Sequence, residues 1–307
     1  MNFSAKVKSE LLSKNLKKPC CKLAALSAFI RTSGSLVTRG KNVGFVLSSE
    51  AEQCAFFAAI IEKLFGEKPL KTEEKNGRAK FTYLSANTLP ILISAGIVSR
   101  SGDDLTVKLD IDGEIVKNDC CVDAFVTGAF LGSGSVTVPE IDTEKTTGYH
   151  LEFVFSKYVT ASDFADLLTR RGFLPKTVER KDNFVVYFKI AEEIADILAM
   201  MGSLNSYLYL TDITIKKVVR NKENRKLNCE MSNLNKQIDA SFRIRQDIEA
   251  IDKSVGLDAL PDNLRSVCLA RLEDESASMS EIAQTLSITK SCLNHRLRKI
   301  SEIAKNL

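Results

Sequence analysis

The 307-residue chain contains only two histidines, His150 and His295. Common zinc sites draw on clustered His and Cys ligands. The adjacent cysteine pairs at 20–21 and 120–121 lack the Cys-x-x-Cys spacing, and neither pair has a second Cys/His cluster nearby in the sequence. Eight cysteines in a chain of this length are typical of reduced, buried thiols. We therefore expect no metal site and no cofactor, and any metal would have to be held by carboxylates.

The sequence also lacks a long hydrophobic run. The apolar run at 55–61 is far shorter than the ~20 residues that cross a bilayer. Residues 1–18 alternate charged and single apolar residues, unlike a secretory signal, so we expect no membrane association and a cytoplasmic protein. A net charge of only +4 excludes a histone-like polycation. The length is about twice the ~150 residues of a typical domain and predicts two folded units.

An internal repeat occurs at an offset of 100 residues. Segment 20–35 (CCKLAALSAFIRTSGS) reappears as 120–135 (CCVDAFVTGAFLGSGS), and both copies continue into alternating apolar segments and helical segments. The pattern predicts the order helix, two strands, helix, one or two strands, helix in each half.

Small residues line the repeated helix, Ala25 and Gly128 among them. Because small side chains let two helix backbones approach closely, we predict a contact between the two copies. Ordinary buried helices without a shared axis are the alternative. The glycines at the helix ends, Gly34 and Gly134, suit a left-handed helix stop.

Segments 26–34 and 126–134 resemble the two signature helices of single-chain LAGLIDADG homing endonucleases. That resemblance implies two αββαββα halves that form a saddle. In those enzymes an acidic residue before the last glycine of each signature holds a divalent metal for DNA cleavage. The matching positions here, the degenerate former metal positions, are Ser33 and Ser133, and a neutral hydroxyl is a poor Mg²⁺ ligand. We therefore predict no catalytic residues and no enzyme activity.

A basic segment follows at 214–228, with six bases against one acid and a local charge of +5. A solvated strand-and-loop face is one interpretation, and a hinge that contacts phosphates, with asparagines as further donors, is the other. The candidate phosphate contacts are Lys216, Lys217, Arg220, Lys222, Arg225 and Lys226.

The C-terminal part reads as helical. Apolar spacing predicts a connecting helix over 233–253, and Pro261 with Asp262 opens the first of three further helices. The second has a capping box between Ser278 and Glu281, and the third begins near Lys290. A short turn between two helices, with a basic, amide-bearing second face, is typical of a helix-turn-helix. A helical docking module is the alternative. Within about 278–304 the predicted DNA contacts are Ser278, Lys290, Ser291, Asn294, His295, Arg296, Arg298 and Lys299.

Charge distribution favours DNA contact at this end. Segment 288–307 carries +4 and segment 214–228 carries +5, while the whole chain carries +4, so the remaining residues carry a net −5. A net acidic saddle is a poor general clamp for a polyanion.

Nearly the whole chain resembles the WhiA family of Gram-positive bacterial DNA-binding regulators. The most diagnostic segments are 220–230 (RNKENRKLNCE) and 294–300 (NHRLRKI). The resemblance implies an α+β chain: a duplicated LAGLIDADG-like αββαββα saddle domain followed by an all-α helix-turn-helix domain. The predicted limits are 1–232 for the saddle domain, with repeats at about 20–115 and 120–220, then 233–258 for the connecting helix and 259–307 for the helix-turn-helix.

The resemblance further implies a non-enzymatic, sequence-specific regulator of cell division and chromosome segregation, or of sporulation in spore formers, associated with the nucleoid. Double-stranded DNA is the expected partner, and a protein regulatory partner is possible; the oligomeric state is left open. The alternatives are a protein-interaction scaffold, with residual or no DNA binding, and a residual LAGLIDADG endonuclease.

Overall fold

The computed structural model describes residues 2–40, 42–139, 148–274 and 277–307. The chain divides into two compact units, Met1–Lys217 (unit 1) and Val218–Leu307 (unit 2). These units are defined by compactness, and the domain limits predicted from the sequence stay predictions. None of the described helices is both long and apolar enough to cross a membrane.

Unit 1 consists of two halves with the predicted order αββαββα, preceded by α1 (Phe3–Leu12) and separated by a hairpin of β5 (Val98–Ser101) and β6 (Asp104–Val107). The first half contains α2 (Pro19–Ser33), β1 (Gly34–Arg39), β2 (Asn42–Glu50), α3 (Ala51–Phe65), β3 (Lys71–Lys75), β4 (Arg78–Tyr83) and α4 (Thr88–Ser94). The second half contains α5 (Asp119–Ser133), β7 (Ser135–Thr137), β8 (His150–Phe155), α6 (Tyr158–Arg170), β9 (Lys176–Arg180), β10 (Asn183–Phe188) and α7 (Ala191–Met200).

The two antiparallel sheets share one strand order. It is β1-β2-β4-β3 in the first half and β7-β8-β10-β9 in the second. Register places Phe45 opposite Tyr83 on one sheet and Phe153 opposite Val186 on the other, and all four side chains are buried. Because side chains alternate across a strand, each sheet turns one apolar face toward the core. The equal topology confirms the duplication seen in the sequence.

Helices α2 and α5 pack directly against each other at the centre of unit 1. A Cβ atom added at Gly128 would overlap the backbone carbonyl of Ala25 on α2, so the two backbones are as close as small residues permit. The Cys21 thiol also contacts the carbonyl oxygen of Cys120 at 3.3 Å. The predicted contact between the two copies is confirmed, and buried helices without a shared axis are excluded.

The predicted left-handed ends of these helices are wrong. Gly34 has φ −101° and Gly134 has φ −75°, both in extended backbone. Space is what requires glycine here, because a Cβ at these positions would overlap the carbonyl oxygen of Ile30 and the ring of Phe130, respectively. The chain therefore passes from helix to strand without an intervening turn.

The longest helix is α8 (Leu204–Ser254), with 51 residues. At the start of α8, the carboxylate of Glu10 from α1 accepts four hydrogen bonds. The donors are the hydroxyl of Ser203, the amide of Asn205, and the amide and hydroxyl of Ser206. Burial by itself would raise the pKa of Glu10, but these hydrogen bonds outweigh it and hold the pKa below its usual value. A side chain of α1 thus caps the first turn of α8.

The strand-and-loop interpretation of 214–228 is wrong, because these residues belong to α8. Phosphate contact by their basic side chains stays a prediction. Neither glycine nor proline occurs between 204 and 254, so no residue interrupts the helix. The predicted connecting helix at 233–253 is the C-terminal part of the same helix.

Besides a 3-10 turn (Leu257–Ala259), the described part of unit 2 contains the rest of α8 and three shorter α-helices around a separate core. These are α9 (Asp262–Glu273), α10 (Met279–Thr285) and α11 (Lys290–Lys305). The core combines Ile248 and Ile251 of α8 with apolar residues of all three short helices. The three helices begin where the sequence predicted.

Candidate nucleic-acid interface

The helix-turn-helix consists of α10, a short turn and α11. Ser278 caps α10: its hydroxyl accepts from the amide of Glu281 at 3.3 Å, and the Glu281 carboxylate accepts from the Ser278 amide at 2.6 Å. In the turn, Ser287 has φ +50°, and the Thr289 hydroxyl then accepts from the amide of Cys292 at 3.2 Å. The capping box predicted from the sequence is confirmed, and both helix starts are set by local hydrogen bonds.

One face of α11 is anchored in the core of unit 2. Leu293, Leu297 and Ile300 are buried against α9 and α10, and Ala304 is partly buried. Their spacing of four, three and four residues is that of a helix face. This anchoring fixes the rotation of α11 and determines which side chains reach solvent.

Six of the predicted DNA contacts on α11 are exposed. Ser291, His295 and Arg298 lie nearly opposite the buried stripe by helical rotation, while Asn294 lies on one flank. Arg and Asn side chains can make bidentate hydrogen bonds to guanine and adenine, respectively. The exposed residues are Lys290, Ser291, Asn294, His295, Arg298 and Lys299.

A cleft of about 1070 Å³ runs between α11 and the neighbouring segment of α8 in unit 2. Lys290, Asn294 and Arg298 contribute to its polar side, and α8 contributes apolar residues such as Ile238 and Phe242. Those two apolar side chains are exposed. The amide and guanidinium groups of α11 therefore line a groove to which α8 contributes both apolar side chains and polar ones, such as Lys236 and Arg245.

Two of the predicted contacts have structural roles. The Ser278 hydroxyl accepts the capping hydrogen bond of α10. The Arg296 guanidinium donates to the carbonyl oxygen of Asn263 at 3.2 Å, which ties α11 to the start of α9. Arg296 is only partly exposed. Whether either residue also contacts DNA stays a prediction.

Sequence reasoning missed Arg271, which is 8% exposed at the end of α9. Its guanidinium donates to the carbonyl oxygen of Ala277 and to the hydroxyl of Ser241 on α8, both at 2.5 Å. Burial lowers the pKa of Arg271, and the nearby carboxylate of Asp274 opposes that change. Arg271 thus connects α8, α9 and the segment before α10. No sequence pattern marks it, because its side-chain partner Ser241 lies 30 residues away.

The basic residues of α8 do not share one environment. In unit 1, Lys216 pairs with Asp212 at 2.6 Å, and the Lys217 ammonium lies 5.1 Å from the centre of the Tyr149 ring. In unit 2, helical rotation places Lys222, Arg225 and Lys226 on one side of α8, away from Arg220. The Lys226 ammonium lies 4.0 Å from Glu230. The run predicted as a single phosphate-contacting segment is therefore divided, and the side with three bases belongs to unit 2.

The two degenerate metal positions are occupied by hydroxyls that hold backbone together. Ser33 donates to the carbonyl oxygen of Gly132 at 2.9 Å, and the Ser133 hydroxyl accepts from the amide of Val154 at 3.2 Å. Among the described residues, no three carboxylate or imidazole groups converge at this end of α2 and α5. The Ser33 hydroxyl therefore joins the two halves of unit 1, and the Ser133 hydroxyl ties α5 to β8 within the second half.

Cysteines converge at the other end of the same helices, contrary to the sequence-based expectation. The Sγ atoms of Cys20, Cys21, Cys120 and Cys121 all lie within 4.8 Å of one another. Each pair is isolated in the sequence because its partner is 100 residues away. Packing of α2 against α5 brings the two pairs together.

Comparison with known proteins matches both parts of the chain. The profile described as the WhiA C-terminal HTH domain matches residues 224–304, and that of the WhiA LAGLIDADG-like domain matches 122–220. A relative from Bacillus licheniformis, named probable cell division protein WhiA, is 37% identical over 319 residues, covering 100% of this chain and 97% of the relative. The protein of the same name from Bacillus subtilis is 36% identical, with the same coverage.

The fold has a counterpart among solved structures. The crystal structure of full-length WhiA from Thermotoga maritima aligns over 100% of this chain and 99% of that chain, with a TM-score of 0.61 and 22% identity. At that identity the likeness concerns the fold alone.

Proposed function

The chain belongs to the WhiA family, and from that premise we propose that it is a non-enzymatic, sequence-specific DNA-binding protein that regulates transcription in cell division and chromosome segregation, or in sporulation. The observation that carries the proposal is the exposed face of α11, where amide and guanidinium groups stand on a firmly anchored second helix of a helix-turn-helix. A genome-wide footprint of the bound protein tests it, because it reports occupancy and sequence motif together.

The proposal excludes cleavage as the function. Ser33 and Ser133 have no carboxylate to offer a metal ion, and both hydroxyls are used in hydrogen bonds to the backbone. Without that negative charge, divalent ions would not collect beside a scissile phosphate. The saddle fold is then a scaffold for the chain rather than a nuclease.

Base reading is assigned to Asn294 and Arg298. We expect Asn294→Ala and Arg298→Ala each to weaken binding to the specific site by about 1–3 kcal/mol while binding to random duplex changes little, because each variant removes a bidentate base contact. Fluorescence anisotropy with both duplexes measures the specificity ratio. The matched control is Arg265→Ala. It also removes one arginine from unit 2, but Arg265 lies on α9, where it pairs with Asp258 at 2.7 Å. Equal ratios for both variants and wild type would remove these residues from base recognition.

Phosphate contact is assigned to the basic side of α8 in unit 2. The double variant Lys222→Ala/Arg225→Ala should weaken specific and random duplex alike. It should also reduce the slope of log K against log salt by about 0.9 for each phosphate that the protein no longer neutralises. Titrations at several salt concentrations measure the slope, with Lys216→Ala as the comparison because that lysine pairs with Asp212 in unit 1. An unchanged slope in the double variant would show that Lys222 and Arg225 do not contact phosphates.

A further inference from the structure

We propose that the four-cysteine cluster of unit 1 is a structural zinc site that joins the two halves of the duplicated fold. Each helix of the central pair supplies two adjacent thiols from its first turn, Cys20 and Cys21 from α2 and Cys120 and Cys121 from α5. All four Sγ atoms lie within 4.8 Å of one another. Four thiolates around one position are the ligand set of a closed, structural Zn²⁺ centre.

The spacing favours a single ion. With Zn–S bonds of about 2.3 Å, a tetrahedral centre places its sulfur atoms roughly 3.8 Å apart. The cluster needs to contract by no more than about 1 Å to reach that spacing. Iron–sulfur clusters distribute their thiolates over two or more irons, which holds the sulfurs farther apart. The observed proximity therefore fits one tetrahedral ion better than a cluster.

The surroundings suit a negatively charged centre. Four thiolates and one Zn²⁺ carry a net −2, and the first turns of both helices bring their partial positive charge to the same point. The Lys18 ammonium lies 3.9 Å from the Cys120 sulfur, and the Asn118 amide nitrogen lies 3.9 Å from the Cys121 sulfur. Such donors orient and stabilise metal-bound thiolates. The acidic side chain at the start of α5, Asp119, is paired with Arg171 at 2.8 Å.

Burial shows how the ion is enclosed. Cys21 and Cys121 are buried, Cys120 is half-buried and Cys20 is exposed. Three ligands therefore sit within the packed interface, and the exposed fourth ligand, Cys20, leaves the ion a path of entry from solvent. All four cysteines are free thiols in the structure, as ligation requires.

An ion at this position would bridge segments that are 100 residues apart. It would secure the cysteine end of α2 and α5, while Ser33 and Gly132 join the other end. Because such a site does not exist in the unfolded chain, metal binding would add directly to the stability of unit 1.

The test uses the full-length protein, purified under reducing conditions without chelator. We expect about one zinc per chain by elemental mass spectrometry. Replacement by Co²⁺ should give the intense thiolate charge-transfer bands and visible absorption of a tetrahedral sulfur site. Cys20→Ser should lower Zn²⁺ affinity by at least about 10–100-fold, the loss that follows removal of an outer-shell partner. The exposed position of Cys20 makes it the variant best suited to fold. Cys229→Ser removes an exposed cysteine from α8 and is the control that should retain the zinc.

Three results would overturn the proposal. The first is wild-type protein that is purified without metal and binds no Co²⁺ under reducing conditions, so that its Co²⁺ titration is the same as that of the Cys120→Ser variant. The second is iron with acid-labile sulfide in place of zinc. The third is a disulfide among the four cysteines that persists in the folded protein in the presence of reductant. Circular dichroism of each variant separates a lost site from a lost fold.

Discussion

Replacing Gly128 with alanine should destabilise unit 1 by about 2 kcal/mol, although alanine is the better helix former. Helix propensity favours the substitution by about 1 kcal/mol. Against this, the new Cβ would overlap the carbonyl oxygen of Ala25, and a backbone group cannot move aside as a flexible side chain does. Overpacking typically costs about 1–3 kcal/mol, and we expect a cost near 3 kcal/mol because α2 and α5 must move apart as whole helices. Subtracting the gain in helix propensity leaves the net loss of about 2 kcal/mol. Calorimetry of the full chain measures the shift in the unit 1 transition.

A graded series sharpens this test. Gly128→Val adds two further carbons at the same contact and should destabilise unit 1 more than Gly128→Ala does. Gly113→Ala is the matched control, because a Cβ at Gly113 meets nothing within 4 Å, and its effect should stay within about 0.5 kcal/mol. An alanine at 128 that stabilises the protein would mean that α2 and α5 are not in backbone contact.

Replacing Arg271 with alanine should destabilise unit 2 by about 2–4 kcal/mol. The guanidinium is buried, and its removal leaves the carbonyl oxygen of Ala277 and the hydroxyl of Ser241 without this donor. These two hydrogen bonds connect α9 to α8 and to the segment before α10, so DNA affinity should fall with stability. Chemical denaturation followed by circular dichroism measures the change in the free energy of unfolding.

Arg265→Ala on the same helix is the control for charge. Arg265 and its partner Asp258 are exposed, with 44% and 87% of their side-chain surfaces accessible, and exposed ion pairs contribute at most about 1 kcal/mol. If the Arg271 and Arg265 variants lose equal stability, the role assigned to Arg271 as an internal tie is wrong.

Helix limits and caps in unit 2 were predictable because their causes are local. The capping box joins residues three apart in sequence, and the buried stripe of α11 follows from helical spacing. The strand-and-loop interpretation of 214–228 was wrong because neither glycine nor proline interrupts the chain there, so α8 continues through the basic residues. At Gly34 the prediction was wrong because the position requires glycine for lack of room for a Cβ atom, and its backbone is extended rather than left-handed.

The sequence by itself determined the duplication, the order of elements in each half, the helix-turn-helix and the hydroxyls at the two former metal positions. All of these are encoded in residues close together or in a repeat that can be aligned. Only the tertiary structure decided that four cysteines form one cluster and that Arg271 connects α9 with α8 and with the segment before α10. Such groupings depend on how helices pack and rotate against each other, and residues 100 positions apart leave no local pattern of that contact.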